Sequence, residues 1–347
     1  MASLLLFASC KKDKIEDYEV PATYNFENVS YAGQTDRLNM LGEMADYMKT
    51  ANTPGVVLDA QRLRDMFENT NSPFTFTSTR QLKDKCFLAD VATFEGYLDA
   101  IATASQSTVP GSNGVAGVVY SQDSTKKYLF DAQGREYTQL IEKGLAGAVC
   151  YYQATAVYLS DAYIAEGQAD NETIEPGEGT EMEHHWDEAF GYFGVPKDFP
   201  ANLSGIRQHG KYCNDRNALL NTNKTIMNAF LKGRAAISND DHKTKVEQVQ
   251  LVRDNWELVI AGTAIHYLNE AKADFADDAL RNHTLSEAYA FASSLRYNPT
   301  RRISDAQLQS ALTAMGTNFY ESSLASLDNA RAILSSAYGL NAIKDQL

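Results

Sequence analysis

Five side chains, in two short segments, have the types and spacing to do chemistry. His184, His185 and Glu188 stand in the first segment, and His283 and Glu287 in the second. On a helix, residues three and four apart share a face. Both histidines of the first segment therefore adjoin Glu188, and His283 adjoins Glu287. An imidazole and a carboxylate from one turn make half of a metal site, and this donor pair suits iron or zinc better than calcium. Two such halves that face each other could converge on one ion, as carboxylates and histidines do in di-iron bundles. The same spacing also fits a purely structural use. Each Glu could accept from a backbone N–H at a helix start, with its His hydrogen-bonded beside it.

Other chemistry has less support. The chain has no His-Glu-x-x-His zincin motif and no Gly-x-Ser-x-Gly elbow, so conventional metallopeptidase or α/β-hydrolase chemistry lacks its parts. No Walker or dinucleotide fingerprint accompanies the glycines at Asn113-Gly114 or Pro176-Gly177-Glu178-Gly179. Cys150 lies among Ala, Val and Tyr, where a thiol is buried and inert. The 19 tyrosines and 15 phenylalanines fall at helical spacings that core packing explains, and none is singled out as a haem or ferric-ion ligand.

The elements that must position the two segments are helices. Leu38, Leu41, Met44, Ala45 and Met48 recur on one face from Thr35 onward. Further helices are expected over Val57–Glu68 and Leu88–Ser105. Val118–Tyr120 and Lys127–Phe130 read as a small β-hairpin inserted between helices. A long helix follows from Glu136 to about Glu166, with Ile141, Leu145, Val149, Tyr152, Ala156 and Leu159 as its stripe and Gly144 and Gly147 as points of close approach. Residues 167–181 are loop-like. From Asp161 to Glu188 the chain has ten acidic residues and no Lys or Arg, either a solvated loop or a cation-attracting rim. A short helix is expected at 182–193, then a loop to Asp215. Helices are expected at Ala218–Ser238, Lys243–Asp277, Leu285–Tyr297, Ser304–Met315 and Ser322–Tyr338.

The two segments are copies of one pattern. Each reads His, three residues, then Glu-Ala-aromatic-small-aromatic. Upstream, Tyr158-Leu159-Ser160-Asp161-Ala162 matches Tyr267-Leu268-Asn269-Glu270-Ala271, and the loop between is about ten residues shorter in the second copy. This predicts an all-α fold built as a duplicated helical bundle. Its pseudo-symmetric halves are 31–200 and 201–347, behind a tether at 1–30. Asp161 and Glu270 fall near the ends of the two long helices, where the dipole disfavours an acid and a partner is expected.

The chain has 347 residues, 44% of them apolar, and a net charge of −14. That balance excludes a nucleic-acid footprint and a basic membrane-docking patch. Its start, Met-Ala-Ser-Leu-Leu-Leu-Phe-Ala-Ser-Cys-Lys-Lys, resembles the end of a bacterial lipobox, with Cys10 as the lipidated residue. The basic n-region and a full-length apolar stretch are missing; a late start would explain both. Lipidation would place the protein in the cell envelope, anchored at the outer membrane.

At these motifs the sequence resembles the imelysin-like proteins, helical envelope proteins made of two related bundles. Their Gly-x-His-x-x-Glu motif has its best match in Glu183-His184-His185-Trp186-Asp187-Glu188, with Glu183 in the place of glycine. A little-characterised branch of Bacteroidota-type lipoproteins looks closer still. The likeness lies in Glu142-Lys143-Gly144-Leu145, in His185-Trp186-Asp187-Glu188-Ala189-Phe190-Gly191-Tyr192, and in Ser286-Glu287-Ala288 with Arg296-Tyr297-Asn298-Pro299. The resemblance implies two imelysin-like halves and a non-catalytic place in iron acquisition. The ligand would be iron, zinc, haem or a partner in the outer-membrane uptake machinery. The alternatives are a metal-dependent peptidase using His185 and Glu188, and a structural docking lipoprotein.

Overall fold

The computed structural model describes residues 17–347, so Cys10 and the lipobox lie outside the described residues. The elements are helical apart from one hairpin. In order they are α1 (Ala32–Lys49), α2 (Ala60–Glu68), α3 (Val91–Ala104), β1 (Gly117–Tyr120), β2 (Lys127–Phe130), α4 (Tyr137–Leu145), α5 (Asp161–Ile164), α6 (Glu181–Phe193), α7 (Gln208–Leu220), α8 (Thr222–Ser238), α9 (His242–Ala273), α10 (Asp278–Ser294), α11 (Asp305–Met315) and α12 (Leu324–Tyr338). The hairpin is antiparallel, with Gly117 opposite Phe130 and Tyr120 opposite Lys127. No helix among the described residues is long and apolar enough to cross a membrane.

Local chemistry sets the helix ends. Asp59 caps α2 through the Gln61 and Arg62 amides, and Asn69 closes it in the left-handed region. Thr180 with Glu183 and Ser304 with Gln307 form reciprocal capping boxes on α6 and α11. Packing does the rest. The middle of α9 is buried all round from Val259 to Ile265, as a helix at the centre of a core must be. Helices α7, α8, α10 and α12 lie against it. Helix α10 also packs on α4 and α11, and α6 packs on α1 and α8. One continuous set of buried side chains runs through both halves of the chain. Cys86, Cys150 and Cys213 lie in it as free thiols, and burial pushes Cys150 up to about 12.

Four expectations need correction. The helix expected from Glu136 to Glu166 is α4 continued by two π-helical stretches, Ala146–Tyr151 and Gln153–Tyr158, and it breaks at Leu159 before α5. These wide turns close i→i+5 bonds. Gly147 lies in them, and a Cβ there would run into the Ser294 side chain of α10; Gly144 meets Phe94 of α3 in the same way. The small residues do admit close neighbours. The loop expected up to Asp215 contains most of α7, and the helix expected from Ala218 is divided at Asn221, whose φ is 53°. Finally, α10 starts at Asp278 rather than Leu285 because Asp277 caps it.

Gly233 of α8 shows how tight the contact with α6 is. A Cβ there would overlap the Trp186 indole, and that ring is held by an Nε1–H donating to Phe230 O at 3.0 Å. Gly233→Ala is therefore expected to destabilise the fold by about 1–3 kcal/mol. Urea unfolding followed by circular dichroism reads this directly, and an unchanged midpoint would contradict it.

Candidate functional site

The second His–Glu pair sits in the middle of α10, in a chain of alternating charges. Glu136, fully buried, immediately precedes α4, and its own backbone N–H donates to Ser286 Oγ at 2.9 Å. Its Oε2 lies 2.5 Å from His283 Nδ1. The other edge of that ring, Nε2, is 3.6 Å from Glu287 Oε2. Tyr128 of β2 stacks flat on the imidazole, with centroids 4.1 Å apart. Glu287 in turn faces Lys143 Nζ at 3.8 Å. Lys143 pairs with Glu142 at 3.0 Å, and Glu142 reaches Lys49 of α1 at 3.3 Å. The Tyr212 ring of α7 lies 5.5 Å from the Lys143 ammonium.

Burial and mutual charge set these groups. Burial works against a charged His283, but Glu136 and then Glu287 hold its pKa above the ordinary histidine value. Burial pulls Lys143 down and is outweighed by Glu142 and Glu287, so it stays charged. Glu287 is raised by burial, against the pull of Lys143 and His283. Burial also opposes the charge on Glu142, yet Lys143 and Lys49 bring its pKa below the usual range. The cluster is a balanced ionic lattice drawn from α1, α4 and α10.

The first pair is arranged differently. His184 Nε2 stands 4.0 Å from Glu188 Oε2, and Glu188 accepts instead from Gln34 Nε2 of α1 at 2.7 Å. His185 Nδ1 lies 2.8 Å from the Tyr163 carbonyl. A carbonyl only accepts, so Nδ1 carries a proton, and among the described residues Nε2 makes no hydrogen bond. Between them, Asp187 is fully buried. It accepts from Tyr24 Oη at 2.6 Å and from Arg234 Nε at 3.0 Å. Burial pushes Asp187 up to about 7, against Arg234 and the Tyr24 hydrogen bond. Arg234 also binds Glu183. Glu183, in the glycine position of the resembling motif, is thus both a cap and an ion-pair partner.

The two pairs engage separate partners. Among the described residues, no group of three or more His, Cys, Asp or Glu side chains is placed to hold a metal ion. Geometry explains this at α10, because Glu136 and Glu287 meet opposite edges of one imidazole and cannot share an ion with it. The capping role expected for the acids is also corrected. Thr180 with Glu183 caps α6 and Asp277 caps α10, while Glu188 and Glu287 are interior to their helices. Asp161 begins α5 rather than ending the long helix, which suits the dipole. Glu270 does find a partner, His266 Nε2 at 3.2 Å.

Sequence reasoning missed Glu136, Lys143, Asp187 and Arg234 as parts of these networks. Arg234 left a signal: it is a lone cation eight residues after Ile226, on the stripe continued by Phe230 and Ile237. A charge on a buried stripe demands a partner.

A family model described as "Domain of unknown function (DUF4856)" matches residues 21–340. No curated protein and no solved structure matches the chain.

Proposed function

For this chain, which belongs to the DUF4856 family, we propose a non-catalytic binding function in the bacterial envelope, with a lipid anchor at Cys10 and two related helical halves. One observation supports the absence of catalysis. The acids of both His–Glu pairs are engaged by side chains from other elements, Glu287 by Lys143 and Glu188 by Gln34. A hydrogen-bond donor or a cation on a carboxylate stabilises its ionised form, which opposes its taking up a proton as a general base. The helical fold and the repeated His-x-x-x-Glu-Ala units support the two-halves reading.

The test is cleavage. Full-length protein loaded with iron or zinc is expected to leave casein intact. Casein cleavage that disappears in Glu188→Ala would overturn the proposal in favour of the peptidase.

A second reading, iron or haem binding in an uptake system, is favoured by His185. A histidine ligand ordinarily donates its other ring N–H to a carbonyl or carboxylate, and His185 does so to Tyr163, with no partner on Nε2 among the described residues. Elemental analysis and haem titration decide it. Stoichiometric iron or haem, lost in His185→Ala and kept in His283→Ala, establishes that reading. No retention in the unmodified protein removes it and leaves an organic ligand or a protein partner.

A further inference from the structure

A cleft of about 190 Å³ opens between α3, α4, α10 and α11. A cavity of about 150 Å³ accepts one benzene ring, and drug-sized ligands occupy roughly 300–1,000 Å³, so this cleft is sized for a single ring. Aromatic side chains supply much of its wall. Phe94 and Tyr297 are buried, and Tyr97 and Tyr289 are half-buried. Three polar side chains, Thr93, Arg296 and Gln309, stand at its exposed edge, and Ser293 and Ser294 line it further in.

The charge of the cleft narrows the ligand. Arg296 Nη2 pairs with Asp90 Oδ2 at 2.8 Å, and Tyr297 Oη donates to the same oxygen at 2.6 Å. The guanidinium is therefore already neutralised, in a chain whose net charge is −14, and an anion gains little there. A cation would meet the guanidinium. Among the described residues Arg296 Nε and Nη1 make no hydrogen bond, so a purely apolar ring would cover donors without satisfying them, at a cost. An uncharged ring that presents acceptor oxygens at its rim and C–H groups on its face meets every condition. Aromatic rings offer an apolar face for the C–H groups.

We propose that this cleft binds a neutral hydroxylated six-membered ring, a hexopyranose, with its face on the tyrosine rings and its hydroxyls bonded by Arg296 and Gln309. This names the ligand class of the binding function proposed above and rests on that reading.

The experiment is saturation-transfer NMR on the full chain with D-glucose, D-galactose, D-mannose and N-acetyl-D-glucosamine, and with glucuronate and glucosamine as charged comparators. At least one neutral sugar is expected to bind saturably, about tenfold or more tighter than either charged comparator. Ser293→Phe, which fills the cleft, is expected to abolish that binding, and Gln309→Ala to weaken it about tenfold. Gln309 is exposed on α11, so its variant decides the matter if Ser293→Phe fails to fold. Binding that both variants leave unchanged overturns the proposal. Tighter cleft-dependent binding of glucuronate or glucosamine overturns the ligand class and keeps the binding reading. No binding by any neutral sugar overturns the proposal, while the casein, iron and haem tests judge the broader reading independently.

Discussion

Arg234→Met is expected to destabilise the folded protein by about 3–5 kcal/mol, the usual result of stripping the partner from a buried charge. Arg234 is 1% exposed and bridges Glu183 on one side and Asp187 on the other. Its loss leaves Asp187 fully buried with only the Tyr24 hydroxyl. Guanidinium chloride unfolding followed by circular dichroism measures the cost. The double variant Arg234→Met/Asp187→Leu is expected to recover much of it, because no uncompensated carboxylate remains in the core. The cost of the single variant also depends on pH. An unfolded aspartate titrates near 3.9, whereas the folded one is pushed up to about 7. The folded state therefore binds this proton more tightly, and Asp187 withdraws stability as pH rises between those values. Without Arg234 the folded value rises further, so the variant should lose more at pH 8 than at pH 5. A single-variant cost below about 1 kcal/mol at both pH values would show that this ion pair does not hold α6 to α8.

Lys143→Met is the second large effect, again about 3–5 kcal/mol. Lys143 is 7% exposed and serves both Glu142 and Glu287. Without it, the acids at 136, 142 and 287 keep, among the described residues, His283 and Lys49 as their cations. Lys143→Met/Glu287→Gln should be more stable than Lys143→Met alone, a coupling that a double-mutant cycle isolates. Histidine 283 reports the same event. Its folded pKa is raised, so its stabilising contribution is complete below the ordinary histidine value of about 6.5 and is lost as pH rises through the folded value. Lys143 depresses that folded value. An NMR titration of the His283 ring should therefore move to higher pH in Lys143→Met, and a fall would mean that the lattice is wired differently.

Where local chemistry decides structure, the sequence was legible. The hairpin lay where turn residues separate two short apolar runs, and its second strand matches Lys127–Phe130. The helices expected at 182–193 and at Ser304–Met315 likewise match α6 and α11 to within a residue. The stripe expected along the long helix fails midway for a physical reason. Ile141, Leu145 and Val149 are buried as expected, but Tyr152 and Ala156 are only half-buried, while Tyr151, Ala154, Thr155 and Tyr158 take the interior. Wide turns place more residues in each rotation, so a 3.6-residue period runs out of phase. Gly205 and Gly210 made α7 read as loop. Gly210 is instead where α7 passes the Phe193 and Gly194 carbonyls too closely for a side chain. At the candidate site, the i, i+4 spacing correctly put His283 beside Glu287. The partner that defines the site, Glu136, lies 147 residues away in sequence, and no local pattern links the two.

That separation has a consequence for how the chain comes into being. Translation proceeds at roughly 5–20 residues per second, so Glu136 is joined to the chain about 7–30 s before His283, 147 residues on. During that interval Glu136 and Lys143 have no access to α10, and the apolar faces of α4 that α10 will cover stand open. Contacts this distant in sequence form late and slowly. A chain stopped at residue 200 lacks the α10 surface that covers α4, and it should be recovered as aggregate or degraded rather than as a folded half.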